Sequence, residues 1–185
     1  MNDPDSFLPK FRRSVRLPAF DYRRSGAYFV TICANDRKTI FVDEDMRLIV
    51  EEVWWEIPAH FPNVETDVFV VMPNHVHGIL FITEEGDGAS VVARHASPVG
   101  GGRRGGVAAK SLGAIVGSFK STVARRVNAA GGMPGAPVWQ VNYYEHVIRS
   151  EEELDRIRQY IENNPARWSE DPENPEHLQR GAKNV

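Results

Sequence analysis

A single cysteine, Cys33, is all that 185 residues provide, so no intramolecular disulfide can form and stability has to come from an apolar core. Sitting inside an apolar run, it reads as a small buried hydrophobe of a protein kept in the cell interior. Nowhere do about 18 apolar residues follow one another, as a membrane-spanning helix requires. The N-terminus, Met1 to Lys10, also lacks the basic-then-apolar order of a secretory signal. Membrane and export functions are therefore set aside, and a cytoplasmic protein is expected. Acidic residues are missing from one long stretch. Between Ala89 and Tyr144 there is no Asp or Glu, whereas Arg94, Arg103, Arg104, Lys110, Lys120, Arg125 and Arg126 all fall there. A second basic group comprises Lys10, Arg12, Arg13, Arg16, Arg23 and Arg24. The net charge of -3 thus hides two local positive fields, which matter more to a polyanion than the total because phosphate neutralisation is short-ranged. Solvated surface or loop charge is the competing explanation for both.

With 42% apolar and 25% charged residues, the chain suits one soluble domain spanning residues 1–185. Ala27 to Cys33, rich in aromatic and β-branched residues, reads as a central strand. Thr39 to Val42 reads as a shorter strand turned back by Asn35 and Asp36. Met46, Ile49, Val50, Val53 and Trp54 recur at helical spacing after Asp43, a suitable N-cap, and Pro62 stops continuation. Asp67–Met72 and His75–Thr83 are apolar runs separated by the turn dipeptide Pro73-Asn74. Residues 84–110 are glycine-rich without periodicity and read as a mobile loop. A helix is expected from Ser111 to about Gly131, carrying Lys120, Arg125 and Arg126. A short extended pair then covers Val138–Gln140 and Tyr143–Ile148, and a helix opened by a capping box at Ser150 and Glu153 runs to about Asn163. The N-terminal arm 1–25 is basic, and the tail 169–185 is polar and reads as frayed. The order suggests an α+β sandwich of ferredoxin-like or RNA-recognition (RRM-like) type, a largely antiparallel sheet with helices packed on it.

Alternate side chains of a strand share a face, so His75 and His77 project together while Val76 points the other way. Two imidazoles on one face can share a divalent metal. Their apolar flanks make this more than a surface pair, because polar rings in a sheet interior need a partner. Ordinary core histidines remain the alternative. Tyr160 and Asn164 lie four residues apart on one face of the last helix. They fit either a half-buried aromatic and a C-cap, or a nucleophile with an adjacent amide oxygen. A tyrosine nucleophile must lose a proton with a pKa near 10, so it needs a metal or base, and His75 and His77 could hold that metal.

Four segments occur in order: Met72-Pro-Asn-His-Val-His-Gly-Ile-Leu, Ser111-Leu-Gly-Ala-Ile-Val-Gly-Ser-Phe-Lys, Val138-Trp-Gln-Val-Asn-Tyr-Tyr-Glu-His-Val-Ile-Arg and Tyr160-Ile-Glu-Asn-Asn-Pro. In this order and spacing, from about Arg12 to Trp168, the chain resembles the REP-associated tyrosine transposases of the single-tyrosine HUH (IS200-like) superfamily. The resemblance implies that His75 and His77 hold Mg²⁺ or Mn²⁺, with Asn164 where the third ligand falls. Tyr160 becomes the nucleophile for cutting single-stranded DNA beside hairpins of repetitive extragenic palindromes, leaving a 5′-phosphotyrosine. Relatives commonly carry Gln where Asn164 stands. Binding is expected from Arg12, Arg13 and Arg16 and from Lys120, Arg125 and Arg126, in a nucleoid-associated monomer or homodimer. Tyr143 and Tyr144 fall on a strand and read as packing or stacking residues. Two other classes compete: a non-catalytic RRM-like hairpin-binding module, with Tyr28 and Phe29 stacking bases, and a metal hydrolase using activated water.

Overall fold

The computed structural model describes residues 24–83, 111–171 and 173–175. The arm with Arg12, Arg13 and Arg16, the 84–110 segment and residues 176–185 lie outside the described residues. Four strands, β1 (Gly26–Cys33), β2 (Val64–Met72), β3 (His75–Ile82) and β4 (Tyr144–Ile148), form one sheet in the order β2-β3-β1-β4. Every neighbouring pair is antiparallel. Between β1 and β2 come α1 (Glu44–Trp55) and the short α2 (Ile57–His60). α3 (Leu112–Ala130) links β3 to β4, and α4 (Glu151–Asn163) follows β4. Each helical crossover therefore skips one place in the sheet, which another strand fills; this is the split β-α-β arrangement of the ferredoxin-like class.

Helix starts obey local chemistry. The side chains of Asp43, Ser111 and Ser150 accept hydrogen bonds from the N–H groups of Met46, Ala114 and Glu153, each satisfying a donor that the first helical turn leaves unpaired. The Glu153 carboxylate reaches back to Arg149 N at 2.6 Å, a variant of the capping box. α3 ends at Gly131, and Gly132 at φ 63° takes the left-handed backbone that favours glycine.

Helices cover both faces of the sheet, which explains why β1 is buried along almost its whole length. Tyr28, Val30 and Ile32 of β1, with Val76, Leu80 and Ile82 of β3, meet α1 and α3 through Trp54, Ile115, Phe119 and Val123. Ala27 and Phe29, with Ile79, meet Leu154, Ile157 and Ile161 of α4 on the opposite face. The period-two alternation thereby commits His75 and His77 to the α4 side.

Two expected elements differ. Thr39–Val42 is no strand: tight 3-10 turns occupy Asn35–Arg37 and Ile40–Val42. Both hydrogen-bonding edges of β1 are already taken by β3 and β4, and Phe41 N donates to Pro73 O, so no partner edge remains for it. Residues 138–140 and Tyr144–Ile148 do not pair with each other. Trp139 makes a single bridge to Ala34, beyond the end of β1, while β4 lines up along β1 itself.

Gly78 is fixed by packing. A Cβ there would lie 2.6 Å from Trp54 Cη2 and 2.9 Å from Phe69 Cδ2, whose rings stack with centroids 4.3 Å apart. Gly117, inside α3, has open space at the same test. Gly78→Ala is expected to destabilise the fold by about 2 to 3 kcal/mol through overpacking, and Gly117→Ala to stabilise it by about 1 kcal/mol through helix propensity. Urea unfolding curves of the two variants measure both signs.

Candidate active site

The register Cys33↔His75 and Thr31↔His77 places both imidazoles over β1. His75 is 0% and His77 1% exposed, so the pair lies beneath α4 and the turn that follows it. Their Nε2 atoms are 3.0 Å apart. Each ring is held from behind through Nδ1. Asn74 Nδ2 donates to the carbonyls of Arg37 (3.2 Å) and Glu173 (2.7 Å), which orients its amide and leaves Oδ1 facing His75 Nδ1 at 2.8 Å. That oxygen can only accept, so His75 carries its proton on Nδ1 and presents a bare Nε2. Thr31 Oγ1 lies 2.8 Å from His77 Nδ1 and can accept its proton in the same way.

Burial, assisted by the charge of Arg37, brings the pKa of His75 down to about 3. Burial and neighbouring His75 hold His77 well below the ordinary histidine range. Both rings are therefore neutral at pH 7, the protonation state a metal ligand needs. Asp171 adds a carboxylate, with Oδ2 3.7 Å from His75 Nε2. The ligand atoms of His75, His77 and Asp171 all fall within 4.8 Å of one another, and the three residues are buried. Two cis positions on an octahedral ion with bonds of about 2.1 Å are about 3.0 Å apart, the observed Nε2 separation. A tetrahedral pair would need roughly 3.4 Å. The residues fit a divalent cation.

Tyr160 projects from α4 toward this cluster, its hydroxyl 3.4 Å from His77 Nε2. Phe29 meets the Tyr160 ring edge-on, with centroids 6.2 Å apart, and stacks on His77, so one aromatic sets the position of both. Tyr144 packs on the other flank of Phe29. Burial and Glu153 push its phenol up to about 12, which keeps it protonated and a poor nucleophile.

Other expected site residues are placed as follows. Asn164 is buried at the C-cap of α4, where its carbonyl accepts from Arg167 N and opens the turn Pro165–Glu170. That turn delivers Asp171, a residue the sequence reading put in a frayed tail. Asp171, Glu173 and Asn174 are buried instead. An Asp-Pro-Glu-Asn-Pro string carries no periodicity that could announce this. Lys120, Arg125 and Arg126 ride on α3, across the sheet from the imidazoles. Lys120 Nζ donates to the carbonyls of Gln140 and Val141, and Arg126 forms a two-pronged pair with Glu56. Among the described residues, only Arg125 of the three is exposed without a charge partner. Tyr28 and Phe29, the stacking platform an RRM-like module would need, are 0% and 1% exposed and cannot meet a base. His146 pairs with Glu153 at 2.9 Å.

Comparison with known proteins places this geometry. No family model matches the chain. The fold is similar to that of a REP-associated tyrosine transposase solved bound to a REP hairpin, which superposes with a TM-score of 0.54, covering 86% of this chain and 74% of that one at 20% identity. In sequence, the chain is 37% identical over 168 residues to a protein of Haemophilus influenzae described as uncharacterized, covering 86% of this chain and 91% of that protein. It belongs to the same family as that protein.

Partners behind metal-bound histidines fix tautomer and ring orientation, and their loss typically weakens metal binding 10- to 100-fold. Asn74→Ala is therefore expected to weaken Mn²⁺ binding by about that factor, with Thr31→Val toward the lower end. Titration calorimetry on the full chain reads this directly; unchanged affinity in both variants would separate the imidazole pair from metal binding.

Proposed function

We propose that the chain is a metal-dependent, single-tyrosine HUH endonuclease and strand transferase acting on single-stranded DNA beside hairpins of repetitive extragenic palindromes. The observation that carries this reading is the Tyr160 hydroxyl 3.4 Å from one of two buried, neutral imidazoles whose Nε2 atoms converge. Likeness of fold alone does not define a reaction, so the weight rests on those atoms. His75, His77 and Asp171 are assigned as ligands of Mg²⁺ or Mn²⁺, because a hard cation favours a carboxylate oxygen. Asn164 takes the supporting part of turning the chain from α4 toward Asp171. When bound, the ion supplies positive charge for the phosphate at which negative charge accumulates.

The chain's own residues do the rest. Phe29 and the body of α4 hold the Tyr160 ring so that its oxygen faces the phosphate in line with the departing sugar oxygen. The Tyr160 O–P bond forms as the P–O3′ bond breaks. The phenolic proton passes to water and the departing 3′ oxygen takes one up from water, so that it leaves as a free hydroxyl and the net proton count is unchanged. One phosphodiester replaces another, so a different 3′-hydroxyl can reverse the step and join strands without a nucleotide. Arg12, Arg13 and Arg16, with exposed Arg125, are assigned to phosphates of the hairpin. Lys120 and Arg126 are engaged within the fold and are secondary.

Incubation with hairpin DNA and Mn²⁺ followed by a denaturing gel separates this reading from its rivals: a covalent adduct, a free cut product from activated water, or no cleavage. The adduct is expected. Tyr160→Phe is expected to abolish it while leaving hairpin affinity within about twofold, since a single hydroxyl is a small part of a phosphate-dominated interface. An undiminished adduct in that variant would overturn the assignment of the nucleophile.

A further inference from the structure

Beyond the histidines and tyrosine, one cation is built into the wall of this site. We propose that Arg37 is a phosphate-binding residue, its guanidinium taking a non-bridging oxygen of the single-stranded DNA on the His75 side of the imidazole pair. The inference rests on the functional reading above and adds to it a contact made by the protein alone.

Three observations support it. Arg37 follows the end of β1, and its Nε lies 3.1 Å from Glu173 Oε2, with the Arg37 side chain 31% exposed. Glu173 in turn lies against Cys33, the register partner of His75. Among the described residues, that single carboxylate is its charge partner, met from the Nε side, and the Nη nitrogens enter no hydrogen bond. A guanidinium carries five N–H donors in a planar fork suited to phosphate oxygens, so most of them remain for a ligand.

The backbone is the third observation. Asp36 and Arg37 both sit at φ 53°, in the left-handed region that side chains other than glycine rarely adopt. Two consecutive residues there persist only where surrounding structure enforces it. The turn is closed by Lys38 N donating to Asn35 O at 3.2 Å and is tied to the site by Asn74, whose Oδ1 orients His75 and whose Nδ2 donates to the carbonyl of Arg37 at 3.2 Å. One amide therefore fixes the His75 ring and the position from which Arg37 reaches out. By contrast Arg126 is paired with Glu56, and Lys120 with backbone carbonyls, on the opposite side of the sheet.

Removing Arg37 leaves the buried Glu173 without its cation, so a purely structural role has to be separated from a ligand contact. The comparison uses the full chain as wild type, Arg37→Ala, Arg37→Lys and the double variant Arg37→Ala with Glu173→Gln. The probe is a fluorescein-labelled DNA hairpin with a single-stranded flank, its affinity followed by anisotropy across a salt series with Mn²⁺. Loss of one phosphate contact to a single strand makes the plot of log affinity against log salt shallower by about 0.7. That change is expected in Arg37→Ala and in the double variant, with Arg37→Lys retaining the wild-type slope at lower affinity. A neutral methylphosphonate at the contacted position should weaken wild-type binding at least threefold while leaving Arg37→Ala unaffected. Recovery of the wild-type slope in the double variant, or an unchanged slope in Arg37→Ala, overturns the proposal. The readout is binding, so wild-type protein that binds but forms no adduct sinks the nuclease reading while leaving the Arg37 contact to be judged by its slope.

Discussion

Two neutral imidazoles facing each other at 3.0 Å inside an apolar sheet are the constraint around which this protein is arranged. Leaving polar rings buried is unfavourable unless every nitrogen finds a partner. Asn74 and Thr31 provide one partner each from behind; the Asn74 oxygen fixes the proton of His75 on Nδ1, and both Nε2 atoms turn inward. The pair is thus satisfied at the back and convergent at the front, a geometry suited to a shared cation. The capacity to hold a cation and the unusual polarity of β3 have one physical cause.

The two faces of the sheet divide the work. On one, α1 and α3 bury Trp54, Phe119 and their neighbours against β1 and β3, and the stacked rings of Trp54 and Phe69 leave room only for glycine at position 78. That face fixes the height and register of the strand carrying the histidines. On the other, α4 packs a narrow stripe of Leu154, Ile157 and Ile161 against Ala27, Phe29 and Ile79, and carries Tyr160 beside it. The ion pair of Arg158 with Asp67 ties the same helix to the edge strand β2. A scaffold on one side and the tyrosine-bearing helix on the other bring a phenol and two imidazoles together from segments 83 residues apart.

Much of this was legible in the residues themselves. Period-two alternation in β3 put His75 and His77 on one face, and helical spacing with the Ser150 cap located α4 and hence Tyr160. The antiparallel α+β class followed from the order of apolar runs. Less was legible where tertiary context decides. Thr39–Val42 has strand-like composition, yet β1 has no free edge to offer it. That Lys120 and Arg126 also engage carbonyls and Glu56 within the fold is visible only in three dimensions. Asp171 was hidden because a polar Pro-bounded string resembles a loose tail; Asn74, reaching across to Glu173 O, and Arg37, paired with the Glu173 carboxylate, help pin it. Asn74 itself stood in plain view within the Pro-Asn-His motif, but its role as the amide that orients both His75 and the Arg37 turn emerges only from three dimensions.

The most direct measurement is anomalous diffraction from crystals of the full chain grown with Mn²⁺. A single peak is predicted within roughly 2.1 Å of Nε2 of both His75 and His77, with the Tyr160 oxygen on the same side of the ion. An ion bound elsewhere, out of reach of both Nε2 atoms, would contradict the account at its root.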